Sequence, residues 1–143
     1  MVRDSDPRSE SAAVLRIGLP RTAEAPSAAR AAIAGFLDGP AVEPGTLASL
    51  RLLVSELVSN AVVHSDASPA SEIVLCARRL ADAVRVEVTD RGRGFIPRPR
   101  DADRHGGYGL FLVENEAERW GVERADGTCV WFEMPLRPCP QAT

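Results

Sequence analysis

Along the chain, two hydrophobic periodicities replace one another, and the points of change mark out its elements. Residues 14–19 alternate apolar side chains with Arg16 and Gly18, the period-two pattern of a half-buried edge strand. Residues 23–37 are rich in alanine and carry Ile33, Phe36 and Leu37 as a helical stripe, which Gly39-Pro40 terminates. Thr46 is a candidate cap for a second helix that runs to about Ser65. Residues 73–78 and 84–89 are two β-rich runs joined by a short polar turn, which predicts a hairpin. Residues 91–107 hold Gly92, Gly94, Pro97, Pro99, Gly106 and Gly107 among several charges, and read as a mobile loop. A short helix over 108–119 is expected to end before Gly121, and Asp126-Gly127 introduces a last strand containing 131–134. The order is β-α-α-β-β-loop-α-β-β. Strands that cluster in antiparallel pairs predict an α+β two-layer sandwich, with a mixed, mostly antiparallel sheet covered on one face by helices.

At 143 residues the chain fits one core. Residues 14–136 form that single domain, residues 1–13 read as a disordered lead-in and residues 137–143 as a loose tail. No apolar run approaches the roughly 20 residues of a membrane helix. The polar, acid-bearing N-terminus lacks the layout of a secretory signal, so a cytoplasmic protein is expected. A formal net charge of −3 argues against direct nucleic-acid binding. All 17 residues of the Lys+Arg count are arginine. With no lysine, the chain cannot build a Walker A loop or the lysine site of ordinary protein kinases. Cys76, Cys129 and Cys139 form no CxxC pair, which disfavours zinc or a disulfide framework. Cys76 and Cys129 lie in apolar runs and read as small core residues.

The most informative stretch is LRLLVSELVSNAVVH, residues 50–64. At about 100° per residue, Leu50, Leu53, Val54, Leu57, Val58 and Ala61 make a broad apolar face. Glu56, Asn60 and His64 recur every fourth position and form a polar stripe with apolar neighbours on both edges. A carboxylate and an amide in such surroundings need partners. Hydrated Mg²⁺ would satisfy both; the plainer alternative is a polar seam on a surface helix. Further on, VEVTDRGRGF places Asp90 at the end of a strand with Gly92 and Gly94 following. The acid can accept a hydrogen bond from an exocyclic amine and glycines admit a close ring, although Asp-Arg-Gly is also a common turn. Gly106-Gly107-Tyr108-Gly109-Leu110 opens the next helix, where glycine amides make an anion site or simply a flexible lid.

In this order the three segments resemble the N, G1 and G2 boxes of the Bergerat-fold (GHKL) ATPases, the superfamily of gyrase B, histidine kinases and MutL. The resemblance spans about residues 14–136 and is closest to the stand-alone bacterial anti-sigma-factor serine/threonine kinases of partner-switching systems. Glu56 to His64 follows their ELxxNAxxH pattern, and Gly127-Thr128-Cys129-Val130-Trp131-Phe132 resembles their closing GTxxWF strand.

The resemblance implies ATP and Mg²⁺ as cofactors. Asn60 would hold the metal, Asp90 would bind the adenine amine, and Thr128 would support the adenine end. Gly92 and Gly94 would admit the base. Gly106, Gly107 and Gly109, with Tyr108 and Leu110 beside them, would wrap the phosphates. Glu56 would be the catalytic base, and His64 either a phosphate contact or a structural cap. The implied partners are a sigma factor and an antagonist protein that serves as phosphorylation substrate, and a homodimer is compatible with the pattern. A binding module that uses ATP without phosphoryl transfer is the alternative, but retention of Glu56 favours chemistry. No segment resembles the phosphoacceptor helix pair of a histidine kinase. Arg98, Arg100 and Arg104 in the loop are either phosphate-facing or solvated.

Overall fold

The computed structural model describes residues 13–38, 42–64, 71–91, 117–125 and 127–136. Their elements are β1 (Val14–Leu19), α1 (Ala25–Phe36), α2 (Pro44–His64), β2 (Ile73–Arg79), β3 (Ala83–Asp90), β4 (Arg119–Ala125) and β5 (Gly127–Pro135). The five strands form one sheet in the order β1-β2-β3-β5-β4. Every pairing in it is antiparallel, and β1 lies at an edge as its alternating pattern predicts. The chain is thus an α+β protein with an open antiparallel sheet and helices packed on one face.

Residue parity decides which side of the sheet is buried. Val84, Val86 and Val88 of β3 face the helices, opposite Met134, Phe132 and Val130 of β5 and level with Leu75 and Ala77 of β2. From α1, Ala25, Ala29 and Ile33, with Leu37 just past its end, enter the core at four-residue spacing. The two alanines let α1 lie close to α2, and the Arg30 guanidinium donates to the Ser55 hydroxyl at 2.8 Å across that seam. Leu50, Leu53, Val54, Leu57 and Val58 supply the face of α2 that meets the sheet. By length and composition α2 is apolar enough to cross a membrane, but half of that stretch is buried inside the fold and it serves as the core helix.

Three expectations change. Helix α2 begins at Pro44, two residues before Thr46, because proline suits the first helical position and lacks the N–H that would go unpaired there. The Thr46 hydroxyl instead donates to the Glu43 carboxylate at 3.3 Å. Arg119, expected to close a helix over 108–119, belongs to β4, where it pairs with Glu133 while Trp120 faces Phe132. Ala117 and Glu118 are not helical either, and the Glu118 N–H donates to the Glu133 carbonyl at 2.8 Å. Residues 108–116 and nearly all of the 91–107 loop lie outside the described residues. Cys76 and Cys129 are half-buried rather than core, since Leu75, Ala77 and Thr128 hold the inward parity beside them. Burial pushes the Cys129 thiol up from its ordinary pKa, with a hydrogen bond to Thr89 acting the other way.

The opposite face of the sheet is organised around Trp131. Arg85 lies over its ring at 4.1 Å from the centroid, and donates to Glu87 at 2.8 Å and Glu133 at 3.0 Å. Burial works against the charge of Arg85, but the hydrogen bonds to the two carboxylates outweigh it and raise its pKa. Gly121 leaves room for the same ring: a Cβ there would stand 2.9 Å from the indole Nε1.

Phe132 is fully buried at the centre of the sheet's helix-facing side. Phe132→Ala is expected to cost about 3–5 kcal/mol of unfolding free energy. Urea unfolding followed by circular dichroism measures this, and a cost under about 1 kcal/mol would mean the neighbours collapse fully into the space.

Candidate functional site

Helix α2 and the ends of β3 and β5 converge on a recess lined by Leu57, Asn60, Ala61, Val88, Asp90, Thr128 and Val130. Each polar member arrives for a local reason. Asp90 is the last residue of β3 and shares the inward parity of Val84, Val86 and Val88, so its carboxylate points to the helix side. Thr128 is its direct partner across the β3–β5 ladder. Asn60 follows Leu57 by three residues on α2, at the margin of the face that packs on the sheet. All three are buried. An apolar wall with a carboxylate, a hydroxyl and an amide in it suits a flat heterocycle carrying an amine.

Asn60 bears on the metal. Its Nδ2 is buried and finds no hydrogen-bond partner among the described residues. A buried amide costs free energy unless a partner completes it. A phosphate oxygen would take the N–H, and the amide oxygen is the hard donor that Mg²⁺ prefers. Among the described residues no three His, Cys, Asp or Glu side chains gather to hold a metal. On the resemblance, Asn60 would offer one oxygen ligand to a Mg²⁺ held by phosphate. The side chain of Asn60 fits that role.

Glu56 is half-buried one helical turn before Asn60, on the same side of α2 and outside the residues lining the recess. His64 ends α2, one turn beyond Asn60; its side chain lies outside the described residues. Gly92, Gly94, Gly106, Gly107, Tyr108, Gly109 and Leu110 lie outside them too.

One participant escapes sequence reasoning altogether. Arg21, in the turn after β1, reaches Asp90 Oδ1 at 2.7 Å, and both side chains are only 6% exposed. It also donates to the Ala61 carbonyl at 2.9 Å and to Ser71 Oγ at 3.1 Å. These partners lie 40, 50 and 69 residues away, so no local pattern announces them. The only local hint is Pro20, which fixes the turn from which Arg21 projects.

Gly127 explains why the closing strand needs its glycine. Its φ is +128°, a region closed to L side chains, and a Cβ there would strike the Asp90 carbonyl oxygen and lie 2.7 Å from Arg91 Cα. Gly127→Ala is expected to destabilise the protein by about 1–3 kcal/mol and, by displacing Asp90 from Thr128, to weaken binding of the nucleotide that the resemblance implies. Thermal melting and calorimetric titration measure the two effects. A variant that melts and binds like the wild type would show that β5 shifts without disturbing the recess.

An antiparallel sheet roofed by a helix bearing Glu56 and Asn60, with a buried acid at a neighbouring strand end, defines an ATPase domain of the Bergerat class. The profile of the histidine kinase-like ATPase domain matches residues 19–134, and the chain belongs to that family. The serine-protein kinase RsbW of Staphylococcus epidermidis is 26% identical over 131 residues, covering 81% of this chain and 82% of that protein. A solved structure of the RsbU and RsbW domains of a Mycobacterium tuberculosis protein superposes with a TM-score of 0.69 at 27% identity. That match takes in 92% of this chain and 35% of the other, so the chain spans about a third of that structure's length.

Proposed function

We propose that the chain is an ATP-dependent serine/threonine protein kinase of the anti-sigma-factor type. It would bind a sigma factor and phosphorylate an antagonist protein, and it would work in the cytoplasm as a regulator of transcription. The observation that carries this reading is the convergence of Asn60, Asp90 and Thr128 in one apolar-walled recess, with Glu56 a single turn from Asn60. Family membership and the likeness to the kinase RsbW supply the reaction class.

In this reading Asp90 and Thr128 would hold the adenine and Asn60 would hold Mg²⁺. The metal's contribution is to neutralise phosphate charge. Gly92 and Gly94 admit the base, Gly106, Gly107, Tyr108, Gly109 and Leu110 cover the phosphates, and His64 lies within a turn of Asn60. Glu56 accepts the proton of a serine or threonine hydroxyl as its oxygen bonds to the γ-phosphorus. The bond from that phosphorus to the β,γ-bridging oxygen breaks, leaving ADP, a phosphorylated side chain and a protonated Glu56.

The test joins two measurements on the wild-type protein. Calorimetry should show saturable Mg-ATP binding, and γ-labelled ATP should transfer label to a co-purified antagonist protein. Absence of ATP binding would overturn the reading. Binding without transfer would leave a nucleotide-dependent binding module.

A further inference from the structure

Arg21 has no part in the chemistry described so far, yet it makes three bonds around the recess. The turn that carries it is closed by the Thr22 N–H donating to the Pro20 carbonyl at 2.9 Å. From there one guanidinium joins three elements. It meets the last turn of α2 at the Ala61 carbonyl, the approach to β2 at Ser71, and the end of β3 at Asp90. A cation is favourable at a helix C-terminus, where carbonyls lack intrahelical donors. Ala61 follows Asn60 directly, so the same side chain ties the helical turn that presents Asn60 to the strand end that presents Asp90. Arg21 is not among the residues lining the recess. It stands behind the carboxylate, shielded from solvent, with its Nε buried and without a hydrogen-bond partner among the described residues.

A carboxylate that reads a base must present acceptor oxygen in a fixed direction. A carboxylate side chain swings about its last torsion unless a partner holds it, and a swinging acceptor discriminates poorly between purine edges. A site built to pair with an amine rejects an analogue that offers a carbonyl there, because two acceptors then face each other. The strength of that rejection depends on how rigidly the acceptor is held. Arg21 takes Asp90 Oδ1 and thereby fixes the carboxylate relative to Thr128 and Asn60.

We propose that Arg21 is a positioning residue for base specificity: by clamping Asp90 it sets the preference for a 6-amino purine nucleotide over a 6-oxo one. The inference rests on the nucleotide reading given above.

The experiment compares Mg-ATP with Mg-inosine triphosphate by calorimetry on wild type, Arg21→Met and Arg21→Lys, with circular dichroism to confirm folding. The two nucleotides differ only on that edge of the purine: the 6-amine becomes a carbonyl and N1 changes from acceptor to donor. Wild type should prefer ATP. Arg21→Met should lose ATP affinity while inosine triphosphate affinity changes less, so that the ATP preference falls by about tenfold, the loss of one oriented hydrogen bond. Arg21→Lys keeps the charge but cannot span all three acceptors, and should recover part of the preference. If Arg21→Met does not fold, the lysine variant decides, with a preference below that of wild type supporting the proposal. An unchanged preference in folded variants would overturn it, including the case where both affinities fall together, which is what a purely structural arginine would give. Wild type that binds neither nucleotide would instead sink the ATP assignment itself.

Discussion

Glu56→Gln is expected to bind Mg-ATP as the wild type does and to transfer phosphate about 10²–10⁴-fold more slowly, the range for loss of a positioned general base. Two features make the separation clean. Glu56 sits one turn before Asn60 on α2 but does not line the recess, so the contacts proposed for a nucleotide with Asn60, Asp90 and Thr128 would stay in place. Glutamine keeps the length and the helix propensity of glutamate, so α2 should not change. Single-turnover transfer from γ-labelled ATP to a co-purified protein substrate reads the chemical step, and calorimetry reads binding. Equal transfer rates in variant and wild type would remove Glu56 from the chemistry and require another base. A loss of affinity with the rate at saturation unchanged would make Glu56 a binding group.

The core of the fold is legible in the sequence because its signals are local. The alternation of Val84, Val86 and Val88 and the turn at Asp126-Gly127 each fix an element from within a few residues. Period two also carries more than a strand assignment. It assigns Cys76 to the face opposite Leu75 and Ala77, and Cys129 to the face opposite Thr128, although the apolar runs around both thiols suggest the core. The border between 108–119 and β4 is less legible, since Arg119 belongs to its strand through a partner, Glu133, that lies 14 residues further on (133 − 119). Asn60 and Asp90 can be singled out because a polar residue at a core-facing position is costly and needs a reason. Arg21 cannot. An arginine in a turn after an edge strand is ordinary in sequence terms, and its burial is created only when α2, β2 and β3 meet around it.

Asp90→Asn is expected to act twice, through the ligand and through the fold. Asparagine can present its amide oxygen or its NH₂ to the recess but carries no charge. Loss of a hydrogen bond to a charged acceptor costs about 1.5–3 kcal/mol, and every 1.4 kcal/mol is tenfold in affinity, so Mg-ATP should bind about 10- to 100-fold more weakly. The second effect comes from Arg21, whose partner at 2.7 Å would lose its charge while the guanidinium stays buried. Removing one member of a buried pair costs up to about 3–5 kcal/mol. Asparagine still accepts a hydrogen bond, so the loss should fall below that range. The Ala61 carbonyl and Ser71 also continue to hold the guanidinium. Thermal melting should therefore show a less stable but folded protein, and the titration belongs well below its melting temperature. Adding Arg21→Met to Asp90→Asn should cost less stability than the sum of the two single changes, because the second removes a charge that the first has already stranded. Strict additivity would mean the two side chains do not support one another. Undiminished ATP affinity in a folded Asp90→Asn protein would take the acid out of the base site, and with it the assignment of the recess to adenine.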